Sequence, residues 1–118
     1  HYPGCYTEAA EWIREHNIKG LAQDVGASDH PLAHAPLHKY APWLRDEYIK
    51  ERGEDPDEIF TVYEPTHLAL AQKGLPGIEI VGGDIDEVTG KRVTISAFPT
   101  KYIGGDASLI RLVAMLDE

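Results

Sequence analysis

Three prolines place the strictest limit on the local structure of this chain. Pro31, Pro36 and Pro42 follow one another at intervals of five or six residues. Each proline lacks a backbone N–H donor and restricts the conformation of the residue before it. No regular helix can therefore run through residues 28–42.

The same segment contains three histidines, and the sequence leaves their role open. On a helix, their four-residue spacing would align them as a metal-binding stripe. Because the prolines break such a helix, the spacing is weak evidence for a metal site, and a solvated histidine-rich loop is the commoner outcome. The three residues are His30, His34 and His38.

The charge balance and the cysteine content exclude several classes of protein. Twenty Asp and Glu residues against 11 Lys and Arg give a formal net charge of −9, which disfavours nucleic acid and anionic membrane as partners. The apolar stretches fall far short of the roughly 20 residues that a membrane-spanning helix needs. Cys5 is the only cysteine, which excludes an internal disulfide and fits a reducing compartment. We therefore expect a cytoplasmic location.

Outside the proline-rich segment, the sequence predicts a mixture of helices and strands, as in an α/β or α+β protein. Helices are predicted from Thr7 to Asn17, from Trp43 to Arg52 and from Pro65 to Lys73, with Gly74 after the last of them. The predicted buried face of the first helix comprises Ala9, Trp12, Ile13 and His16. Strand-like apolar runs cover residues 20–25, 78–81, 92–98 and 109–116.

The last of these runs carries one polar residue in its interior, Arg111. Its alternating positions are otherwise apolar on both faces, as in a strand that is covered on both sides. We therefore expect this strand to be central in its sheet.

Glu79 is the most unusual residue of the predicted strands, because it lies between Ile78 and Ile80. A carboxylate in a buried strand must be ionised with a partner, bound to a metal or protonated. The alternative is that the strand turns Glu79 to solvent, which periodicity alone makes the commoner outcome.

Four further polar residues are candidates for a site. His67, near a helix start, could be a metal ligand or a proton carrier, or could simply hydrogen-bond to backbone or water. Asp24, Ser28 and Asp29 follow a predicted strand, where α/β proteins place ligand contacts, but capping and turn formation explain them equally well.

Several short motifs occur here in a characteristic order. They are Tyr2-Pro3-Gly4 before a helix with Ala9-Ala10-Glu11-Trp12, the segment Gly20 to Asp29, His67 and Glu79 twelve residues apart, Val81 to Asp86, and Gly104-Gly105-Asp106-x-Ser108 before the last strand. In this order they resemble the C-terminal half of the cyclase family, the metal-dependent amidohydrolases that include bacterial kynurenine formamidase and isatin hydrolase.

The resemblance implies an α/β architecture of the swivelling β/β/α type, with residues 1–118 as the C-terminal part of one domain. Residues 31–64 would be an insertion or excursion within it, which covers the pocket, makes an oligomer contact or is peripheral. In the family's chemistry, a divalent metal, zinc or manganese, activates water to cleave an amide, formamide or lactam C–N bond. Glu79 would hold the metal, and His67 would bind a second metal or move protons.

The family's signature, His-x-Gly-Thr-His-x-Asp-x-Pro, belongs to its N-terminal half and has no match in these 118 residues. A catalytic metal needs about three protein ligands and an open position for water. The resemblance therefore implies a companion chain or N-terminal segment that carries this motif, in an oligomeric enzyme with a small-molecule substrate. The alternative is a metal-free binding or assembly subunit on the same scaffold.

Overall fold

The computed structural model describes residues 3–34 and 40–116, and the chain divides into two compact units, His1–Ile80 and Val81–Glu118. The first unit contains helix α1 (Thr7–Glu15), strand β1 (Leu21–Ala22), helices α2 (Pro42–Arg52), α3 (Pro56–Ile59) and α4 (Pro65–Gln72), and strand β2 (Gly77–Ile78). The second contains a 3-10 helix (Ile85–Val88) and strands β3 (Thr94–Pro99) and β4 (Ile110–Met115). The protein is therefore a mixed helix-and-sheet fold, which confirms the coarse class predicted from the sequence.

The core of the first unit lies between α1 and α4. Its buried side chains are Ala10 and Ile13 of α1 and Ala69 and Leu70 of α4. The predicted helix face is wrong for Trp12, which is 51% exposed, and for His16, which is exposed and stacks on Trp12. The buried stripe is displaced by one position because the small Ala10, rather than Ala9, faces α4.

Proline and glycine mark the ends of α2 and α4. The start of α4 at Pro65 is as predicted, whereas α2 begins at Pro42, one residue before the predicted start. Pro42 and Pro65 occupy the first turns of α2 and α4, where a missing N–H donor removes no helical hydrogen bond. Gly53 and Gly74, which follow these helices, have φ values of 72° and 63°. This left-handed backbone conformation favours glycine.

The two strands of the first unit run parallel, with Leu21 opposite Gly77 and Ala22 opposite Ile78. Both are shorter than predicted. The Ile80 backbone turns away at φ 56°, an uncommon conformation for a β-branched residue. Glu79 therefore lies one residue beyond β2, at the carboxyl end of the strand pair.

The segment of residues 42–59 contains helices α2 and α3 and lies within the predicted insertion 31–64. Tyr48 is its buried aromatic residue, and its hydroxyl lies 3.1 Å from that of Tyr6. Two other aromatic residues, Tyr40 and Trp43, are exposed. No helix within residues 3–34 and 40–116 has both the length and the apolar character needed to cross a membrane.

In the second unit, β3 and β4 form an antiparallel hairpin in which Ala97 lies opposite Leu112. The prediction of a central β4 is wrong for the described residues, because β4 pairs with β3 alone. Opposite residues share a face, so one face carries only apolar side chains: Ile95, Ala97, Pro99, Ile110, Leu112 and Ala114. None of the described residues 81–116 is buried.

Candidate functional site

Asp29 organises the candidate site from a fully buried position, with 0% of its surface exposed. Its Oδ1 accepts the backbone N–H of Thr66 at 2.7 Å, and its Oδ2 accepts that of His67 at 3.1 Å. These are the first free N–H donors of α4, because Pro65 has none. A carboxylate from 37 residues away thus caps the helix, where the positive end of the helix dipole favours negative charge.

The same carboxylate fixes the His67 side chain. His67 Nδ1 lies 2.6 Å from Asp29 Oδ2, within hydrogen-bond distance. A proton on Nδ1 therefore satisfies Asp29, and it leaves Nε2 on the other side of the ring to face a different partner.

That partner is Glu79, whose Oε1 lies 3.2 Å from His67 Nε2. Glu79 Oε1 also accepts the backbone N–H of Ser28 at 2.7 Å and the Ser28 hydroxyl at 3.1 Å. The other carboxylate oxygen of Glu79, Oε2, accepts no hydrogen bond from a described residue. The side chain is 28% exposed, so it is neither buried in a strand nor turned wholly to solvent.

A close backbone approach holds the Ser28–Asp29 segment in place. Cys5 pairs with Asp29 in an isolated parallel bridge, with hydrogen bonds from Cys5 N to Ser28 O and from His30 N to Cys5 O. A Cβ atom at Gly4 would collide with the Asp29 carbonyl oxygen. Glycine is therefore required at position 4, beside the residue that orients His67.

The local electrostatics favour a proton on His67. Burial alone would lower the pKa of the imidazole. The hydrogen bond to Asp29 and the neighbouring carboxylate charges outweigh burial, so the pKa of His67 lies above its ordinary value. In the metal-free protein, His67 is thus suited to carry a positive charge between Asp29 and Glu79.

The donor set of His67 and Glu79 also fits a divalent metal. Two ligands that each lie about 2.1 Å from a tetrahedral zinc are about 3.4 Å apart, close to the 3.2 Å between Nε2 and Oε1. A carboxylate on the far nitrogen of a histidine is the usual support of a metal-bound imidazole, and Asp29 occupies that place. Within residues 3–34 and 40–116, no group of three or more His, Cys, Asp or Glu side chains is arranged to hold a metal, so other ligands would have to come from elsewhere.

The structure separates the remaining predicted residues. Asp24 is exposed, and it makes no hydrogen bond or ion pair with a described residue. The His30 ring stacks on Phe60 with centroids 4.5 Å apart, and its Nδ1 accepts the backbone N–H of Leu32 at 3.2 Å. His38 lies outside the described residues.

One further pair next to the site was missed by the sequence analysis. His34 Nδ1 lies 2.6 Å from Glu64 Oε1, and the His34 and His67 rings are 6.3 Å apart between centroids. Glu64 directly precedes the proline that begins α4, which marks it as a helix cap. Nothing in the spacing of the two residues indicates that His34 is its partner.

A shallow groove of about 490 Å³ lies elsewhere in the first unit. Its lining includes Tyr6, His30 and Tyr48, with Glu51 and Arg52 of α2. Neither His67 nor Glu79 lines it, so this groove is separate from the cluster around Asp29.

Comparison with known proteins gives no family for this chain, since no family model, curated protein or solved structure matches it. The function is therefore inferred from the site residues, their geometry and the motif order in the sequence.

Proposed function

We propose that this chain supplies His67 and Glu79 to the active site of a metal-dependent hydrolase that cleaves an amide, formamide or lactam C–N bond. The observation that carries the proposal is the line of contacts from Asp29 through His67 to Glu79, with separations of 2.6 and 3.2 Å. The motifs that resemble the cyclase family support the same chemistry and the swivelling β/β/α fold.

The bound metal would supply a water molecule whose pKa is lowered to near 7. The chain's own residues do the positioning. Asp29 accepts a hydrogen bond from Nδ1–H of His67 and would so present the lone pair of His67 Nε2 to the metal. Ser28 holds Glu79 Oε1 through two hydrogen bonds, which fixes the carboxylate beside His67 Nε2.

His67 has a second possible role, as a proton carrier beside a metal that Glu79 holds. Its contact with Asp29 suits this role as well, because the carboxylate stabilises the imidazolium after proton uptake. Metal content separates the two roles. The change His67→Gln lowers bound metal if His67 is a ligand, and it lowers turnover at unchanged metal content if His67 moves protons.

The remaining ligands are proposed to come from a companion chain or an N-terminal segment with the His-x-Gly-Thr-His-x-Asp-x-Pro motif. A catalytic zinc has about three protein ligands, and the described part of this chain offers two. The complete enzyme would therefore be an assembly with one or two divalent ions.

Native mass spectrometry of the protein, purified from its source without chelator, tests the proposal. We expect a complex with a second chain, or a longer form of this one, and one or two divalent metal ions that Glu79→Gln strongly reduces. Asp24→Asn is the matched control, because Asp24 is an exposed carboxylate without a described partner. A metal-free species of 13.1 kDa, or a metal-free homo-oligomer, would contradict the proposal.

The hairpin favours a second candidate, a metal-free binding or assembly subunit. One of its faces is entirely apolar, and Ile95 on that face is 53% exposed. Exposed apolar surface of this kind marks interaction sites. In such a subunit, Glu79→Ala would leave partner affinity intact and metal would not co-purify in stoichiometric amounts. The hydrolase proposal instead predicts stoichiometric metal in the wild type and an effect of Glu79→Ala.

A further inference from the structure

The outer edge of strand β2 carries backbone groups that no described residue pairs with. Gln23 N donates to Ile78 O at 2.9 Å, so the backbone groups of Ile78 face β1. Successive residues of a strand direct these groups to opposite sides. The N–H and C=O groups of Gly77 and Glu79 therefore point away from β1, and no described residue accepts a hydrogen bond from either N–H. Such an edge is a template for a further strand.

The outer edges of the two strands differ in character. On β1, the outward-facing Ala22 is followed two residues later by Asp24, which is exposed. A charged side chain at a strand edge discourages the addition of another strand. On β2, Glu79 is followed by Ile80, which is 76% exposed at φ 56°. A left-handed conformation at a β-branched residue is strained and is found preferentially at functional sites. The edge of β2 is therefore the one suited to docking.

The position of Glu79 indicates what a docked strand would bring. Glu79 lies at the carboxyl end of β2, with its Oε1 3.2 Å from His67 Nε2. The carboxyl ends of parallel strands meet on one side of a sheet, where α/β proteins place ligand contacts. Neighbouring strands lie about 4.8 Å apart. A side chain that follows a strand added to β2 is thus within reach of a metal beside Glu79, whereas a strand added to β1 would lie about 10 Å from β2.

We propose that the outer edge of β2 pairs with a parallel β-strand of the segment that supplies the missing ligands, and that a metal-ligating side chain directly follows this strand. The inference rests on the proposed hydrolase function. Backbone hydrogen bonds to Gly77 and Glu79 would fix the position of the strand, as in β-augmentation. Leu21, which lies opposite Gly77, packs against the core between α1 and α4. The added strand would therefore present apolar side chains on the face that these helices cover.

Two proline substitutions test the assignment of the edge in the complete enzyme. Gly77→Pro and Ala22→Pro each remove one outward N–H and no hydrogen bond between β1 and β2, and each ring obstructs an added strand. In chelator competition, Gly77→Pro should lower metal affinity by at least about tenfold, as expected for loss of a backbone hydrogen bond. Ala22→Pro should stay within about twofold. Gly77→Ala is a further control that keeps the N–H, since a Cβ atom there lies 3.4 Å from Leu70 Cδ1, an ordinary contact.

Hydrogen exchange of the complete wild-type enzyme tests the pairing without any substitution. The amide protons of Gly77 and Glu79 should exchange about as slowly as that of Gln23, which is paired within the sheet. Those of Ala22 and Asp24 should exchange fast. This measurement decides the matter if Gly77→Pro does not fold, as judged by urea unfolding.

The outcomes separate this inference from the proposed function. Wild-type metal affinity in folded Gly77→Pro, or fast exchange at Gly77 and Glu79, would overturn the inference and leave the proposed function intact. An equal loss of affinity in Ala22→Pro would also overturn it, because the strand would then lie on β1. Slow exchange at Gly77 in a homodimer without a further segment would assign the edge to a second copy instead. A complete assembly that binds no divalent metal would overturn both proposals.

Discussion

The two carboxylate–histidine pairs have the same contact distance but very different surroundings. Asp29 is fully buried and receives two helix N–H groups as well as His67. Glu64 is partly exposed, and its backbone carbonyl, rather than its side chain, accepts a hydrogen bond from α4. The first pair is therefore part of the buried structure of the first unit, whereas the second pair lies near solvent. Only the first should be indispensable for folding.

The largest expected effect is the loss of stability in Asp29→Ala. This change leaves two N–H groups of α4 and the His67 side chain without their acceptor, and breaking a buried pair in this way costs about 3–5 kcal/mol. Glu64→Ala should cost less than about 1 kcal/mol, as is usual for an exposed ion pair. Urea unfolding of both variants measures the difference. Equal losses would show that the two pairs do not differ as described.

A change that nearly preserves the side-chain shape tests the charge behind His67. Asp29→Asn keeps one of the two acceptor oxygens, sets its NH2 against the remaining N–H donors and removes the charge, so metal affinity of the folded, complete enzyme should fall by about 10–100-fold. Glu64→Gln should leave metal affinity within about twofold, because Glu64 supports a histidine that is not a proposed ligand. Competition with a chromogenic chelator measures both affinities. If Glu64→Gln lowered affinity as much as Asp29→Asn, His34 would be a ligand.

Ser28→Ala should have a moderate effect. It removes one of two hydrogen bonds to Glu79 Oε1, and the backbone donor at 2.7 Å remains. The expected loss of unfolding free energy is about 1 kcal/mol, together with a smaller loss of metal affinity than in Asp29→Asn. Ser96→Ala in the hairpin is a control that leaves the site untouched. An affinity loss as large as that of Asp29→Asn would mean that the hydroxyl itself contacts the metal or its water.

The smallest effect concerns His30, which pairs with no carboxylate in the described part of the chain. Burial, and to a lesser degree the charge of Arg52, lowers the pKa of His30 below the ordinary histidine value of about 6.5. The unfolded chain therefore takes up the proton first as pH falls, and folding stability declines below about pH 6.5. His30→Gln should flatten this part of the stability profile, measured by urea unfolding between pH 7.5 and 5 at about half-unit steps. An unchanged profile would show that another group titrates there.

The sequence alone predicted several features that depend on residues close to one another in the chain. Pro65 and Gly74 correctly predicted the ends of α4. The position of Glu79 among apolar residues indicated that its carboxylate, if buried, needs a partner, a metal or a proton. The buried face of α1 was misplaced by one position, because hydrophobic periodicity does not distinguish Ala9 from Ala10 when packing depends on how closely another helix approaches. The short length of β2 follows from the φ value of Ile80, which its side chain disfavours.

Pairs that are distant in the sequence were beyond such reasoning. From the sequence, a ligand contact and a local turn explained Asp29 equally well. Its capping of a helix 37 residues away depends on the tertiary fold. His34 was grouped with His30 and His38 by spacing, yet His30 stacks on Phe60 while His34 contacts Glu64. Hydrophobic periodicity indicates whether one segment is a helix or a strand. It does not indicate which loops contact one another in the folded protein.

The contacts that build the site join residues 37, 38 and 51 positions apart. No short fragment contains both ends of any of them, and contacts of such long range form only once the intervening chain has collapsed. The amide protons of Ser28, Thr66 and His67 should therefore exchange with deuterium only when the first unit opens as a whole. A metal that binds at this site would slow all three rates together, so that occupancy of the site could be followed from the exchange of three backbone amides.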